Sequence, residues 1–369
     1  MASFSSLFCI FVLYAILPIP TTCHEHFQLP EKHVAFFIFG DSLFDAGNNN
    51  YINTTTDSQA NFWPYGETFF KYPTGRLSDG RIIPDFIAKY AKLPLIPPFQ
   101  QPGFHQFTDG ANFASAGAGA LVETFQGLVI DLKTQLSNFE KVERWLRHKF
   151  GDAETNKVLS KAVYLMTIGG NDYISPFLLN SSLFESHSRP EYVDMVIGNL
   201  TSVIKEIYKR GGRKFAFVGL GPLGCLPGSR ILKPENEGGC TEELTVLAKL
   251  HNKALSELLK KLESKLIGFK YSNSNPYTPL SKRIDHPMRY GFKEGKTACC
   301  GTGPFRGVFS CGGEKAVKEY ELCANVSEYV FFDSFHVTER VNQQFSELMW
   351  SGAPSVVGPY NLKSLFRCA

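Results

Sequence analysis

Hydrophobic residues along the chain fall into two kinds of pattern. Short continuous apolar runs occur at Val34–Phe39 (VAFFIF), Ala162–Ile168 (AVYLMTI) and Lys214–Val218 (KFAFV). Runs of this length, bounded by glycine or polar residues, predict strands buried on both faces. Ala111–Ala114 and Phe269–Tyr271 are weaker strand candidates. Between the runs the apolar spacing changes to that of a helix. Asp131–His148 carries Leu132, Leu136, Phe139, Val142, Trp145 and Leu146 on one face. Tyr192–Lys209 is helical in spacing and stops at Gly211–Gly212. Thr241–Leu266 is long and amphipathic, and Val337–Met349 forms a last helix. Short apolar strands alternating with helices predict a mostly parallel sheet covered on both faces. Such sheets take ligands at the carboxyl ends of their strands, where the strand order reverses. No repeat or low-complexity linker interrupts residues 30 to 360, so one domain is expected.

The N-terminal run Leu7–Pro20 (LFCIFVLYAILPIP) has no charge and is too short for a comfortable membrane span. It predicts a signal peptide over residues 1–23, with Thr21 and Cys23 at the small positions before the cut. No later stretch has the length of a membrane span. The mature chain, residues 24–369, is then expected outside the cell, with oxidised cysteines. Removing residues 1–23 takes away Cys9 and Cys23 and leaves Cys225, Cys240, Cys299, Cys300, Cys311, Cys323 and Cys368. Seven is odd, so Cys368 is expected unpaired within the chain. A local Cys225–Cys240 bridge leaves Cys299, Cys300, Cys311 and Cys323 to pair among themselves. Zinc would want two ligand pairs with short gaps, which adjacent Cys299 and Cys300 fit poorly. Four N-x-[ST] acceptors, Asn53, Asn180, Asn199 and Asn325, suit glycosylation of a secreted chain.

Composition narrows the function classes. The 369 residues are 43% hydrophobic and 20% charged, which excludes a disordered chain. A net charge of +3 is no footprint for nucleic acid. Candidate chemistry sits at strand ends. The first strand runs into Gly40-Asp41-Ser42, and a serine there stands where such folds place catalysis. Gly169-Gly170-Asn171-Asp172 follows the second apolar run and offers close backbone approach and a side-chain amide donor. Asn112–Gly119 (NFASAGAG) is a small-residue loop whose N–H groups suit an anion. In Asp333-Ser334-Phe335-His336, a carboxylate three residues before an imidazole can hold one ring nitrogen while the other faces a nucleophile.

These blocks, in this order, resemble the plant-type GDSL esterase/lipase family of the SGNH hydrolase superfamily. The likeness extends through Phe39–Tyr51 (FGDSLFDAGNNNY), Tyr72–Asp85 (YPTGRLSDGRIIPD), Asn112–Ala120, Gly219–Pro227 (GLGPLGCLP) and Asp333–Thr338 (DSFHVT). It covers about residues 33–352. The resemblance implies a three-layer α/β/α, flavodoxin-like SGNH fold with a central, mostly parallel, five-stranded sheet. It implies Ser42 as nucleophile, His336 as general base and Asp333 as the residue that orients His336. It further implies an oxyanion hole from the N–H groups of Ser42 and Gly117 and the amide of Asn171. Gly117 is preferred to Gly119 because it stands five residues after Asn112. The implied activity is hydrolysis of lipid or other acyl esters through an acyl-enzyme, with no metal or cofactor and a small-molecule or lipid ester as partner. The implied location is extracellular, in the apoplast or cell wall.

Other readings are weaker. Gly219-Leu220-Gly221-Pro222-Leu223-Gly224 is a literal G-x-G-x-x-G, but two prolines and Cys225 occupy the place of the helix a dinucleotide site needs. The G-x-S-x-G of an ordinary α/β-hydrolase is absent. An acyltransferase would use the same acyl-serine with an alcohol acceptor, and a non-catalytic binding protein would use the same scaffold. Asp333→Asn is expected to cost less than Ser42→Ala or His336→Ala, because such sites can orient histidine by other contacts. For each of Phe44, Phe62, Trp63, Phe69 and Phe70 core packing is the expected role, with lining of an acyl pocket as the alternative.

Overall fold

The structure, a computed structural model, describes residues 33–179, 186–232 and 237–367. The signal-peptide expectation, with Cys9 and Cys23, lies outside the described residues, as do Asn180 and Cys368.

The three strong apolar runs form β1 (Phe36–Gly40), β3 (Val163–Thr167) and β4 (Lys214–Val218). All fifteen of their residues are buried, as strands covered on both faces must be. The two weaker candidates form β2 (Gly110–Asn112) and β5 (Lys270–Ser274). The five are mutually parallel in the order β2-β1-β3-β4-β5. The expected five-stranded sheet gains a sixth strand, β6 (Val357–Pro359), which pairs antiparallel with β5 at the edge. Three residues ending in proline give no apolar run to read. Proline is tolerated there because an edge strand needs no ladder donor on its open side.

Helices cover both faces, and a short α6 (Tyr277–Asp285) follows β5. α1 (Ile83–Tyr90), α7 (Glu339–Ser351) and α8 (Leu362–Arg367) pack together on one side. α2 (Leu132–Lys161), α4 (Arg189–Lys209) and α5 (Glu242–Lys265) pack together on the other. Neighbouring residues of β1 show the two layers directly. The Phe36 ring meets Phe366 of α8 at 5.5 Å, while Phe37 meets Phe139 of α2 at 5.2 Å. Phe37, Phe39, Phe113, Phe139 and Tyr164 form one continuous aromatic cluster.

Helix ends follow their local chemistry. Asp131 accepts from the N–H groups of Lys133 and Thr134 and caps α2. Gly151 leaves helical geometry (φ 76°), after which a helix resumes to Lys161, beyond the predicted end at His148. A capping box between Ser188 and Glu191 starts α4 three residues before the predicted Tyr192.

Because β1 has β2 on one side and β3 on the other, the chain leaves these strands in opposite directions. That switch point opens a crevice at the carboxyl ends of β1 and β3. The Ser42 and Asn171 loops lie there.

Candidate active site

Gly40 closes β1 at φ 152°, where a Cβ would stand 2.5 Å from the Thr167 carbonyl oxygen. Only glycine lets the chain pass that close to β3 and turn at once into Asp41 and Ser42. Gln135 of α2 fixes the turn, accepting from the Gly40 N–H at 2.9 Å and donating to its carbonyl at 2.8 Å. Across the crevice, Asp333 folds its own segment into a tight turn by accepting from the N–H groups of Phe335 and His336, both at 2.9 Å. That turn presents His336. Its Nε2 lies 2.7 Å from Ser42 Oγ, and its Nδ1 lies 2.7 and 2.9 Å from the two Asp333 oxygens. Tyr65 donates its hydroxyl to Asp333 Oδ2 at 2.7 Å. Burial alone would push the Asp333 carboxyl up, but His336 and these donors hold it below the usual carboxylate value.

Asn171 is the second residue of α3 (Gly170–Leu178), so it stands at the positive end of that helix. One proton of its amide goes to the Ala118 carbonyl at 2.9 Å, leaving the other for a ligand. The N–H groups of Ser42 and Gly117 make no hydrogen bond among the described residues. Gly117 and Asn171 both line the crevice. Gly119 does not, and a Cβ there would meet Asp172 Oδ1 at 2.3 Å, so it serves packing against α3.

The crevice is a cavity of about 540 Å³. Leu178, Leu223, Leu226, Leu280, Val337 and Phe345 are among its apolar walls, with Thr55, Asp57 and Ser58 at one polar stretch. None of the five aromatics near the Ser42 block lines it. Phe44 is fully buried in the core, Phe62 packs edge-on against Tyr65, and Phe69 stacks under Arg81. Trp63 is 50% exposed and Phe70 packs beneath Arg76. Phe125, Phe309, Phe335 and Phe345 line the cavity instead. Nearness in sequence to the Ser42 block did not carry over into nearness to the site.

Residues 36–349 match the family profile described as GDSL-like Lipase/Acylhydrolase. The chain belongs to this family. It is 55% identical over 348 residues to GDSL esterase/lipase 1 of Arabidopsis thaliana, covering 94% of this chain and 93% of that one. It is 57% identical over 338 residues to GDSL esterase/lipase 5 of Arabidopsis thaliana (90% and 87%). It is 49% identical over 358 residues to a GDSL lipase of Tanacetum cinerariifolium (96% and 93%). The protein is thus a carboxylic ester hydrolase of the GDSL type.

Several residues that hold this GDSL site together escaped the sequence reading. Asp45 accepts from the N–H groups of Gly47 and Asn48 with one oxygen and from Ala116 with the other, tying the Ser42 loop to the Gly117 loop. Burial raises its carboxyl to about 6 despite those donors. Asn48 donates to the carbonyls of Asn112 and Ala114, and Asn49 to those of Ser58 and Ala116. The GNNN run is therefore a buried clamp on the same two loops. Asp172 accepts from Ala120 N, Leu121 N and Thr124 Oγ1, fastening the small-residue loop to α3. In the Tyr72–Asp85 block, Arg76 forks onto Asp85 at 2.8 Å, and Asp79 accepts from the first N–H of α7, just past His336. Polar residues within or beside the quoted segments were the signal for these, but apart from Arg76–Asp85 the segments they tie together lie far apart in sequence.

The disulfides are Cys225–Cys240, Cys299–Cys323 and Cys300–Cys311. The first matches the local expectation, and the other four cysteines do pair among themselves. The N–H groups of Cys299 and Cys300 bind the carbonyls of Phe331 and Phe332, so the double bridge braces the strand that delivers Asp333. Asn53 and Asn325 are exposed, and Asn199 is exposed on α4. Gly221 to Cys225 ends in a short 3-10 turn, not the long helix of a dinucleotide site. No helix of the described residues is long and apolar enough to cross a membrane, and they hold no cluster of metal-ligating side chains.

Proposed function

We propose that this GDSL hydrolase is a secreted, glycosylated serine esterase or lipase that works through an acyl-enzyme. Ser42 Oγ attacks the ester carbonyl while His336 Nε2 takes its proton. Asp333 keeps the other ring nitrogen protonated and stabilises the imidazolium. The oxyanion receives the free N–H groups of Ser42 and Gly117 and the second amide proton of Asn171, donors fixed before the reaction begins. Collapse expels the alcohol, which takes the proton from His336. Water then repeats the sequence on the acyl-Ser42 ester. The observation that carries this reading is the unbroken line from Ser42 through His336 to Asp333, opening on the cavity. Serine needs such a base, because its own pKa leaves it a poor nucleophile. The apolar walls suit the acyl chain. Three disulfides and the apolar N-terminal run support export of one domain spanning residues 24–369.

A fluorophosphonate probe tests the reading. The folded protein is expected to be labelled on a peptide containing Ser42, and Ser42→Ala to be unlabelled and inactive on p-nitrophenyl esters. Labelling elsewhere, or near-normal turnover by Ser42→Ala, would refute it.

A further inference from the structure

Lys315 is fully buried, at 0% exposure. Its Nζ donates to the carbonyls of Thr56, Asp57 and Gln59, each at 3.2 Å. Three aromatic rings surround it, with centroids at 4.0 Å (Phe309), 5.2 Å (Phe62) and 5.7 Å (Tyr65). Two anions, Asp333 and Asp57, act on it through space. Lysine is rarely buried without an ion pair, because the charge loses its hydration. The three carbonyls take one ammonium proton each, which a neutral amide, with two, could not match. The charge that this cage holds also acts on what lies beyond it. Two of the caging rings border the catalytic set. Tyr65 donates to Asp333, and Phe309 lines the cavity with its ring 6.4 Å from that of His336.

We propose that Lys315 and Tyr65 are positioning residues for ester hydrolysis: a cation and a hydroxyl placed behind Asp333 that fix its orientation and its charge. The inference rests on the reading of Ser42, His336 and Asp333 given above. Tyr65 saturates the oxygen of Asp333 that the backbone turn leaves open. Lys315, seen by Asp333 across the Tyr65 ring, favours the carboxylate and opposes excess stabilisation of the imidazolium. Burial pushes the ammonium down to about 8 against the pull of Asp333 and Asp57, so the charge persists through neutral pH. The titratable groups facing this set are His336, Tyr65, Asp41 and Asp57. The same ammonium anchors the Thr55–Ser58 wall of the cavity to the segment held by the Cys300–Cys311 bridge.

The test is the pH dependence of kcat/KM and of fluorophosphonate labelling for Lys315→Gln, Lys315→Arg and Tyr65→Phe. Glutamine removes the charge and keeps two N–H donors for the three carbonyls, and arginine restores the charge with donors for all three. Losing the cation or the hydroxyl favours the imidazolium, which cannot accept the serine proton. The acid limb is therefore expected to move to higher pH by roughly half a unit or more in Lys315→Gln and Tyr65→Phe. Labelling at pH 7 is expected to slow several-fold, and Lys315→Arg to bring the limb back toward wild type. A purely structural role would lower the melting temperature and leave the limb in place. Limbs that superimpose on wild type, in variants that label fully, would overturn the proposal. If the Lys315 variants do not fold, Tyr65→Phe, which keeps the packed ring, decides by the same shift. Wild type that resists labelling would instead refute the Ser42 reading and take this inference with it.

Discussion

Asp333→Asn is the sharpest probe of the proposed catalytic set, because it changes one heavy atom and leaves the shape. In the folded protein Asp333 Oδ1 accepts two backbone N–H groups, so an asparagine would keep its oxygen there. Its NH2 would then stand at the place of Oδ2, facing Tyr65 and His336 Nδ1. A donor in that place asks Nδ1 to be the acceptor, which moves the ring proton to Nε2. Nε2 would then donate to Ser42 Oγ and be unable to take its proton. His336 Nδ1 has no acceptor besides Asp333 among its described hydrogen bonds, so the ring could fall back only on the retained Oδ1, which already accepts two backbone N–H groups. The loss is on the order of 1,000- to 10,000-fold in kcat, or roughly 4 to 5.5 kcal/mol of transition-state stabilisation. KM should barely change, since Asp333 does not line the cavity. Stopped-flow acylation with a p-nitrophenyl ester, alongside near-UV circular dichroism to confirm the fold, measures this. A folded variant within tenfold of wild type in kcat would refute the tautomer argument.

Three further outcomes follow from the same geometry. Replacing Cys300 and Cys311 together by serine opens a bridge of sequence separation 11 and should cost about 2–4 kcal/mol in urea unfolding. Activity should fall as well, because the bridge holds in place the Cys300 backbone whose N–H binds the Phe332 carbonyl beside Asp333. His251, buried against the Tyr173 hydroxyl, is pushed down to about 3 from 6.5 by desolvation. Between those pH values the unfolded chain binds the proton and the folded one does not, so stability falls as pH falls. Relative to His251→Gln, wild type should lose up to about 1.4 kcal/mol per pH unit in that window, read from melting temperatures. Leu280→Trp places bulk in the cavity wall and should shift the preferred p-nitrophenyl ester toward shorter acyl chains, with little change on acetate. An unchanged chain-length profile would mean that the acyl group lies elsewhere.

The sequence by itself determined the layered sheet, because strands and helices announce themselves through local periodicity. Continuous apolar runs marked β1, β3 and β4, and the loops after β1 and β3 were legible as chemistry from residue type alone. Asp333 and His336 were legible for the same reason, since a three-residue spacing is enough for one to hold the other. The Cys225–Cys240 bridge was also a local matter. Tertiary structure alone decided what depends on chain closure. It divided four neighbouring cysteines into two bridges, since both partners were equally near along the chain. It put β6 antiparallel at the edge, where a three-residue strand takes its register from β5. It chose Phe125, Phe309, Phe335 and Phe345 over the aromatics near Ser42, because all are apolar and only position separates lining from core. It also joined Tyr65 to Asp333 across 268 residues and set Lys315 behind them. Buried polar groups find their partners only when the whole domain folds, and no local pattern records which partner will be there.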